Sequence, residues 1–227
     1  MKVFGKNSLK EALKNPSKIK KVYLSNNFRD KDILNIIKNN NIRYESISSH
    51  DLDKINSKNQ GVMVLLDDFE YSSLNDVLSD NIIIMLDHLE DPHNFGAIIR
   101  TAESAGIKSI IIPKDRSVDV NPTVMKTSAG ALNFTNIVRV TNLANTIKEL
   151  KNNGYFIYGA DMSGTDYKMV NYANKVVLVI GNEGHGLSSI IKKSCDEIVS
   201  LPMNGNINSL NASVAAGILI YDLISKE

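Results

Sequence analysis

The stretch from Val176 to Ser225 reads VVLVIGNEGHGLSSIIKKSCDEIVSLPMNGNINSLNASVAAGILIYDLIS. A five-residue apolar, β-branched run, Val176–Ile180, enters a glycine-punctuated loop. A second short run, Glu197–Leu201, enters another irregular loop that leads into a helix rich in small residues. Ligands of open α/β sheets bind outside the carboxyl ends of strands. Two such exits so close together in the chain mark the place where a site is expected.

Upstream of this stretch the same alternation recurs. From Asn81 onward, strands are predicted at Ile82–Leu86, Ser109–Ile112, Asn136–Val140 and Tyr155–Tyr158, with helical runs between most of them. Continuous apolar strands separated by helices argue for a largely parallel sheet covered on both faces, so the fold class is α/β. Residues 1–66 alternate on their own: a short helix capped by Asn7 or Ser8 and ending at Lys14, a strand Lys20–Ser25, a helix Asp30–Lys38, a strand Arg43–Ser48, a helix Ser49–Asn56 and a buried strand Gly61–Leu66. Between the two patterns lies DDFEYSSLNDVLSD, Asp67–Asp80, acidic and poor in apolar anchors. The expected organisation is therefore a small domain over 1–68, a linker over 69–80 and a large domain over 81–227.

The composition excludes several classes. With 43% hydrophobic and 22% charged residues, the chain has the balance of a globular protein. No apolar run reaches the roughly 18 residues of a membrane span, and the amino terminus is polar from Lys2 onward, so a cytoplasmic protein with no membrane partner is expected. Cys195 has no second cysteine to pair with and no adjacent base, and there is no Cys/His cluster with metal spacing, so neither a disulfide, a thiol nucleophile nor a metal is expected. Charge is unevenly divided. Residues 1–68 hold 13 Lys+Arg against 8 Asp+Glu, a net of +5, and the remainder is −4. Lys6, Lys10, Lys14, Lys18, Lys20 and Lys21 concentrate the positive end. That suits either a polyanionic partner, with counterions released on binding, or a solvated helix face.

Three constellations could carry chemistry. In LDHLEDPHNFGAIIRTAESAG, Leu86–Gly106, a strand ends in a polar turn; Asn94 is a candidate cap for the next helix, and Arg100 lies one to two turns further on, near the same mouth of the sheet. An ordinary cap and a surface cation are the plain alternatives. In GNEGHG, Gly181–Gly186, glycines permit close backbone approach while Glu183 points into the site. This loop lacks the Gly-Lys-Ser/Thr ending of a triphosphate cradle and does not fit GxGxxG. His185 is read as a spectator. In LPMNGNINSLNASVAAG, Leu201–Gly217, Asn206, Asn208, Ser209 and Asn211 crowd a helix start that needs one cap, so the surplus suggests ligand contacts. The small face of Ala212, Ala215, Ala216 and Gly217 suits the core or a subunit interface.

In this order and spacing the three stretches resemble the motifs of the SpoU (TrmH-like) RNA ribose 2′-O-methyltransferases of the SPOUT class. Asn94 and Arg100 match the first motif, Glu183 the second, and Ser209–Ala215 the third. The opening GKNSLKEAL and closing NQGVMVLL of residues 1–66 are similar to the small L30e-like RNA-binding domain of the RlmB branch, which acts on guanosine of 23S ribosomal RNA. There Asn59 stands where relatives carry histidine.

The resemblance implies a deep trefoil knot in the carboxy-terminal domain, S-adenosylmethionine as co-substrate with no metal, and a homodimer formed through that domain. It implies cofactor binding by Gly181, Leu201 and Leu210, and catalytic roles for Arg100, Asn94, Glu183, Asn211 and Ser209. It favours ribosomal RNA as partner. The rivals are a tRNA ribose methyltransferase and a catalytically silent protein of RNA binding or ribosome assembly.

Overall fold

The computed structural model describes residues 1–13, 16–206 and 208–226, and the chain divides into two units, Met1–Glu70 and Tyr71–Glu227. Lys14, the expected end of the first helix and one of the six clustered lysines, lies outside the described residues.

The first unit is a four-stranded sheet carrying three helices. Its elements are β1 (Lys2–Phe4), α1 (Lys6–Ala12), β2 (Ile19–Ser25), α2 (Lys31–Asn39), β3 (Tyr44–Ile47), α3 (Ser49–Ile55) and β4 (Val62–Leu66), with strand order β1-β4-β2-β3. β4 runs antiparallel to both its neighbours, and β2 is parallel to β3. Three residues are too few to show a period, so β1 was not expected; it exists because it pairs with β4. The cap of α1 also differs from expectation. The helix starts before Asn7 and Ser8, at Gly5 with φ 92°, and the amide of Lys6 donates to Gln60 Oε1 at 3.0 Å. Asp30 and Ser48 cap α2 and α3 by accepting from Ile33 N and Asp51 N.

Asn59 is a bracket for the chain. It is 3% exposed, donates from Nδ2 to Asp53 Oδ1 and to the Asn56 carbonyl, and accepts from Gly61 N, each at 2.6 Å. Its amide is thereby committed to shaping the turn into β4 rather than presented to a ligand. The clustered lysines are partly neutralised. Lys6 pairs with Asp30, Lys20 with Asp67 and Lys21 with Glu45.

The second unit is built on a six-stranded sheet in the order β10-β8-β9-β5-β6-β7, every neighbouring pair parallel. The strands are β5 (Ile82–Leu86), β6 (Ser109–Pro113), β7 (Asn136–Val140), β8 (Phe156–Asp166), β9 (Val176–Ile180) and β10 (Glu197–Ser200). β9 and β5 lie side by side at the centre with every residue buried, as continuous apolar runs require. The helices are α4 (Pro92–Ser104), α5 (Pro122–Thr127), α6 (Leu143–Asn152), α7 (Ser189–Ser194) and α8 (Ala212–Ser225). One layer of the core joins Ile83, Met85, Val177 and Val179 of the sheet to Ile147 and Leu150 of α6 and Ile191 of α7. On another side α8 packs against α4 and touches β9. No helix among the described residues is long and apolar enough to cross a membrane.

Two features depart from the sequence reading. Residues 71–80, expected within the linker, are fastened to the second unit: Ser72 N donates to Ile137 O at 2.9 Å, Val77 is fully buried, and Tyr155 Oη donates to the carbonyls of Val77 and Asp80. The anchoring uses backbone groups and one valine, which a count of apolar residues undervalues. β8 continues well past Tyr158, because its ladder with β10 jumps from Gly159 opposite Ile198 to Thr165 opposite Val199. Residues 160–164 swell out between those pairs, and their mixed polarity hides the strand. Of the two roles open to the small face of α8, Ala212 and Ala216 take the core, and the helix leaves the stripe Val214, Ile218 and Tyr221 exposed.

Candidate active site

β5 ends at Leu86, and the next residues are held by the centre of the sheet. Asp87 N donates to Ile180 O at 2.8 Å, and its carboxylate, 1% exposed, accepts from Ser188 N at 2.7 Å. α4 then starts one turn earlier than expected, because Asp91 rather than Asn94 is its cap, accepting from His93 N and Asn94 N, with Pro92 as the first helical residue. Asn94 is therefore inside the first turn and buried, with its side chain free for another partner. It donates from Nδ2 to Glu183 Oε1 at 2.9 Å.

Arg100 is placed differently. Six residues along an α-helix is a rise of about 9 Å and a turn of about 240°, so the two side chains leave α4 in different directions. Arg100 is exposed and makes no hydrogen bond or ion pair among the described residues. Among the described residues the structure bonds Asn94 to Glu183 and shows no bond from Arg100 to either of them.

β9 delivers the glycine loop. Asn182 and Gly186 exchange backbone hydrogen bonds at 3.0 and 2.9 Å, closing a tight turn around Glu183, Gly184 and His185. The Asn182 side chain holds it from both ends, accepting from Gly184 N at 2.8 Å and donating to His88 O at 2.7 Å. Gly181 is needed for space: a Cβ there would lie 2.2 Å from the carbonyl carbon of Gly186 and 2.5 Å from Leu187 N. Gly186 is needed for its φ of 65°.

The third segment closes a cleft of about 300 Å³. Gly181, Glu183, Leu201, Ser209 and Leu210, all expected site residues, line it. Asn211 does not; it caps α8, its Oδ1 accepting from Ser213 N, Val214 N and Ser213 Oγ. Sequence reasoning missed one wall altogether. Ala160, Asp161 and Met162, from the swelling of β8, line the cleft, as does Met203. Burial opposes ionisation of Asp161, but hydrogen bonds from Lys192 at 2.8 Å and from Ser163 outweigh it and hold the carboxyl below its usual range. The signal that could have found this wall is GADMSG, Gly159–Gly164, following the last apolar residues of a strand.

The arrangement offers backbone amides and carbonyls, apolar side chains and two carboxylates, a lining suited to a flat heteroaromatic ring attached to a cationic group. Among the described residues no group of three His, Cys, Asp or Glu could hold a metal ion. Burial pushes the Cys195 thiol up to about 12, against a smaller opposing pull from Lys151, which disfavours the nucleophilic thiolate.

Comparison with known proteins gives this geometry its context. The SpoU rRNA Methylase family matches residues 81–221, and the family described as RNA 2′-O ribose methyltransferase substrate binding matches residues 2–72. A Staphylococcus saprophyticus protein named for the TrmH family of tRNA/rRNA methyltransferases is 37% identical, covering 99% of this chain and 95% of its own length. Among solved structures, the SpoU methyltransferase AviRb of Streptomyces viridochromogenes, in complex with AdoMet, superposes with a TM-score of 0.80 at 22% identity, over all of this chain and 90% of that one. The AdoMet-bound rRNA methyltransferase of Sinorhizobium meliloti has a TM-score of 0.77 at 24% identity, over 97% and 85%. Family match and full-length identity, together with a cleft lined by the second and third motif segments and bonded to the first through Asn94 and Glu183, lead to one conclusion: the chain belongs to the SpoU family of RNA methyltransferases.

Proposed function

We propose that the protein methylates the 2′-hydroxyl of a ribose in ribosomal RNA, most simply a guanosine of the 23S molecule, in the cytoplasm where ribosomes are assembled. The observation that carries the reading is one cleft lined by the second and third segments, Glu183 and Ser209 among its walls, with Asn94 of the first segment bonded to Glu183.

S-adenosylmethionine supplies a methyl group on a sulfonium. The residues fit it: Gly181 leaves room for close backbone approach, Leu201 and Leu210 offer apolar walls to an adenine ring, and Asp161 and Glu183 put carboxylates beside a cation. Asn94 holds Glu183 in place, and Asn211 fixes the start of α8, so that Ser209 and Leu210 are presented at the rim. In-line attack by a ribose oxygen makes positioning the main contribution of the protein. Arg100 stands off the cofactor cleft, which suits a group acting on RNA. A guanidinium with a pKa above about 12 is a poor proton acceptor, so Arg100 orients a phosphate and stabilises charge developing on the 2′-oxygen. A trefoil knot in this unit is part of the reading, and the course of the chain supports it: β10 lies beyond β8, after which α8 returns to α4 and β9.

The protein acts as a homodimer through its carboxy-terminal unit. Val214, Ile218 and Tyr221 form an exposed apolar stripe on α8, in the i, i+4, i+7 pattern of a helix face seeking a partner.

Labelled methyl transfer from S-adenosylmethionine to unmodified ribosomal RNA and to tRNA, run side by side, tests the reading. Label in ribose of ribosomal RNA is expected. Label in tRNA alone would transfer the function to tRNA, and no transfer despite RNA binding would make the chain a silent binding protein.

A further inference from the structure

A second and larger cleft, about 510 Å³, opens beside the cofactor cleft. Its walls are the segments that follow β5, β6 and β7 and the start of α7, and the glycine loop is its partition: Asn182, His185 and Gly186 line both clefts. Two of its residues hold a backbone that side chains rarely adopt, His88 at φ 57° and Arg116 at φ 51°. Such conformations persist only where the surroundings impose them, and they concentrate at binding sites.

The surroundings of His88 are built to impose it. Its carbonyl accepts from Asn182 Nδ2 at 2.7 Å, and its Nδ1 meets Asp87 Oδ1 at 2.6 Å, while the other oxygen of Asp87 is committed to Ser188 N. The ring is thus fixed, with Nε2 as the nitrogen left for a ligand. The exit of β6 is tied to that of β5 by Val118 N donating to Leu89 O at 2.8 Å and Ser117 Oγ donating to the same carbonyl at 3.1 Å. Ile190, 66% exposed, and Leu143 give the cleft an apolar side, while Glu90 and Asp115 add carboxylates.

We propose that this cleft binds one unstacked ribonucleotide of the RNA substrate, the neighbour of the residue being methylated. The apolar side receives the face of a base, His88 and the two carboxylates read donors and acceptors on its edge, and Arg116 meets its phosphate; recognition of splayed single-stranded bases works through this combination. Because the clefts share one loop, a nucleotide in the second sits next to one presented to the cofactor. That the nucleotide belongs to a methylation substrate rests on the proposed function, but its binding is testable without turnover.

The full-length protein is titrated with AMP, GMP, CMP and UMP, before and after saturation with S-adenosylhomocysteine, while the imidazole proton resonances are followed by NMR, each assigned by a His→Gln variant. The expected result is a saturable shift of His88 and His185 with at least one nucleotide, retained when S-adenosylhomocysteine is bound, and none at His50 in the first unit. His88→Gly and Arg116→Gly adopt the left-handed backbone without strain, and each should weaken the nucleotide about tenfold, the scale of one charge-assisted contact. No saturable shift with any nucleotide, or a shift abolished by S-adenosylhomocysteine, overturns the proposal; the second result would place the nucleotide in the cofactor cleft. Retained shifts in a protein that methylates no RNA would instead preserve this site and remove the proposed function.

Discussion

Asn94 Nδ2 lies 2.9 Å from Glu183 Oε1, joining residues 89 positions apart in the chain, and the buried amide holds a carboxylate that opens on the cofactor cleft. The bond makes the first turn of α4 a support for the loop after β9. Asn94→Ala should lower affinity for S-adenosylhomocysteine about tenfold, the scale of a hydrogen bond to a charged group. Asn94→Asp should be worse, because two carboxylates would then face each other. Calorimetric titration decides, and wild-type affinity in both variants would detach Asn94 from the loop.

Gly181→Ala introduces a Cβ 2.2 Å from the carbonyl carbon of Gly186, and backbone on backbone has no rotamer with which to yield. Cofactor binding should be lost and the melting temperature should fall by several degrees, about the shift that one or two kcal/mol causes in a chain of this size. Thermal unfolding with and without S-adenosylhomocysteine reads both effects, and a ligand-induced rise like that of the wild type would refute the steric argument.

Arg100→Ala should keep cofactor affinity, since Arg100 stands off the cleft, yet lose turnover by a factor on the order of a hundred, the usual cost of one positioned charge-stabilising donor. Arg100→Lys restores charge without the planar fork and should remain poor. Single-turnover methylation at saturating cofactor and RNA is the measurement. A normal rate in Arg100→Ala returns the residue to an ordinary surface cation.

Ile218→Glu places a charge in the middle of the exposed α8 stripe, where it costs the monomer little and opposes burial against a second copy. Sedimentation should show a dimer for the wild type at micromolar concentration and a monomer for the variant. A wild-type monomer that still transfers methyl groups would show that the stripe serves something else.

Cys195 gives a pH dependence whose direction is fixed by burial. Its folded thiol titrates at about 12, above the roughly 8.5 of an unfolded chain, so folding binds that proton more tightly. The associated stability is fully present below about pH 8.5 and is lost as pH rises from there through the folded value. Alkylation by iodoacetamide at pH 8.5 should be on the order of a hundredfold slower in the native protein than in urea. Equal rates would mean that the thiol is open to solvent.

Much of this was legible in the sequence because it rests on local periodicity. β5 and β9 are apolar runs that only a covered parallel sheet can house, and the loops that follow them announce themselves by glycine and polar residues. What escaped depends on distant partners. β1 is a strand because β4 lies beside it, and residues 160–164 form a cleft wall because β10 skips them in register. Asp91 takes the cap of α4, releasing Asn94 for Glu183, and of the polar residues crowding the start of α8 it is Asn211 that serves as its cap. Cap preference cannot rank two acceptors three residues apart.

The glycine loop is defined at one point by what a residue lacks, and its tolerance to mutation is accordingly lopsided. At Gly181 an added methyl collides with backbone, whereas at Gly184 it would approach nothing closer than Asn182 Oδ1 at 3.4 Å. Two glycines that look interchangeable on paper therefore sit under different selective pressures: Gly184 is free to drift toward small side chains, and Gly181 is not. Over evolutionary time such a loop would keep its shape while its chemistry wandered, so a descendant could inherit the cofactor cleft intact under a spelling of the motif that a search for polar signatures would pass over.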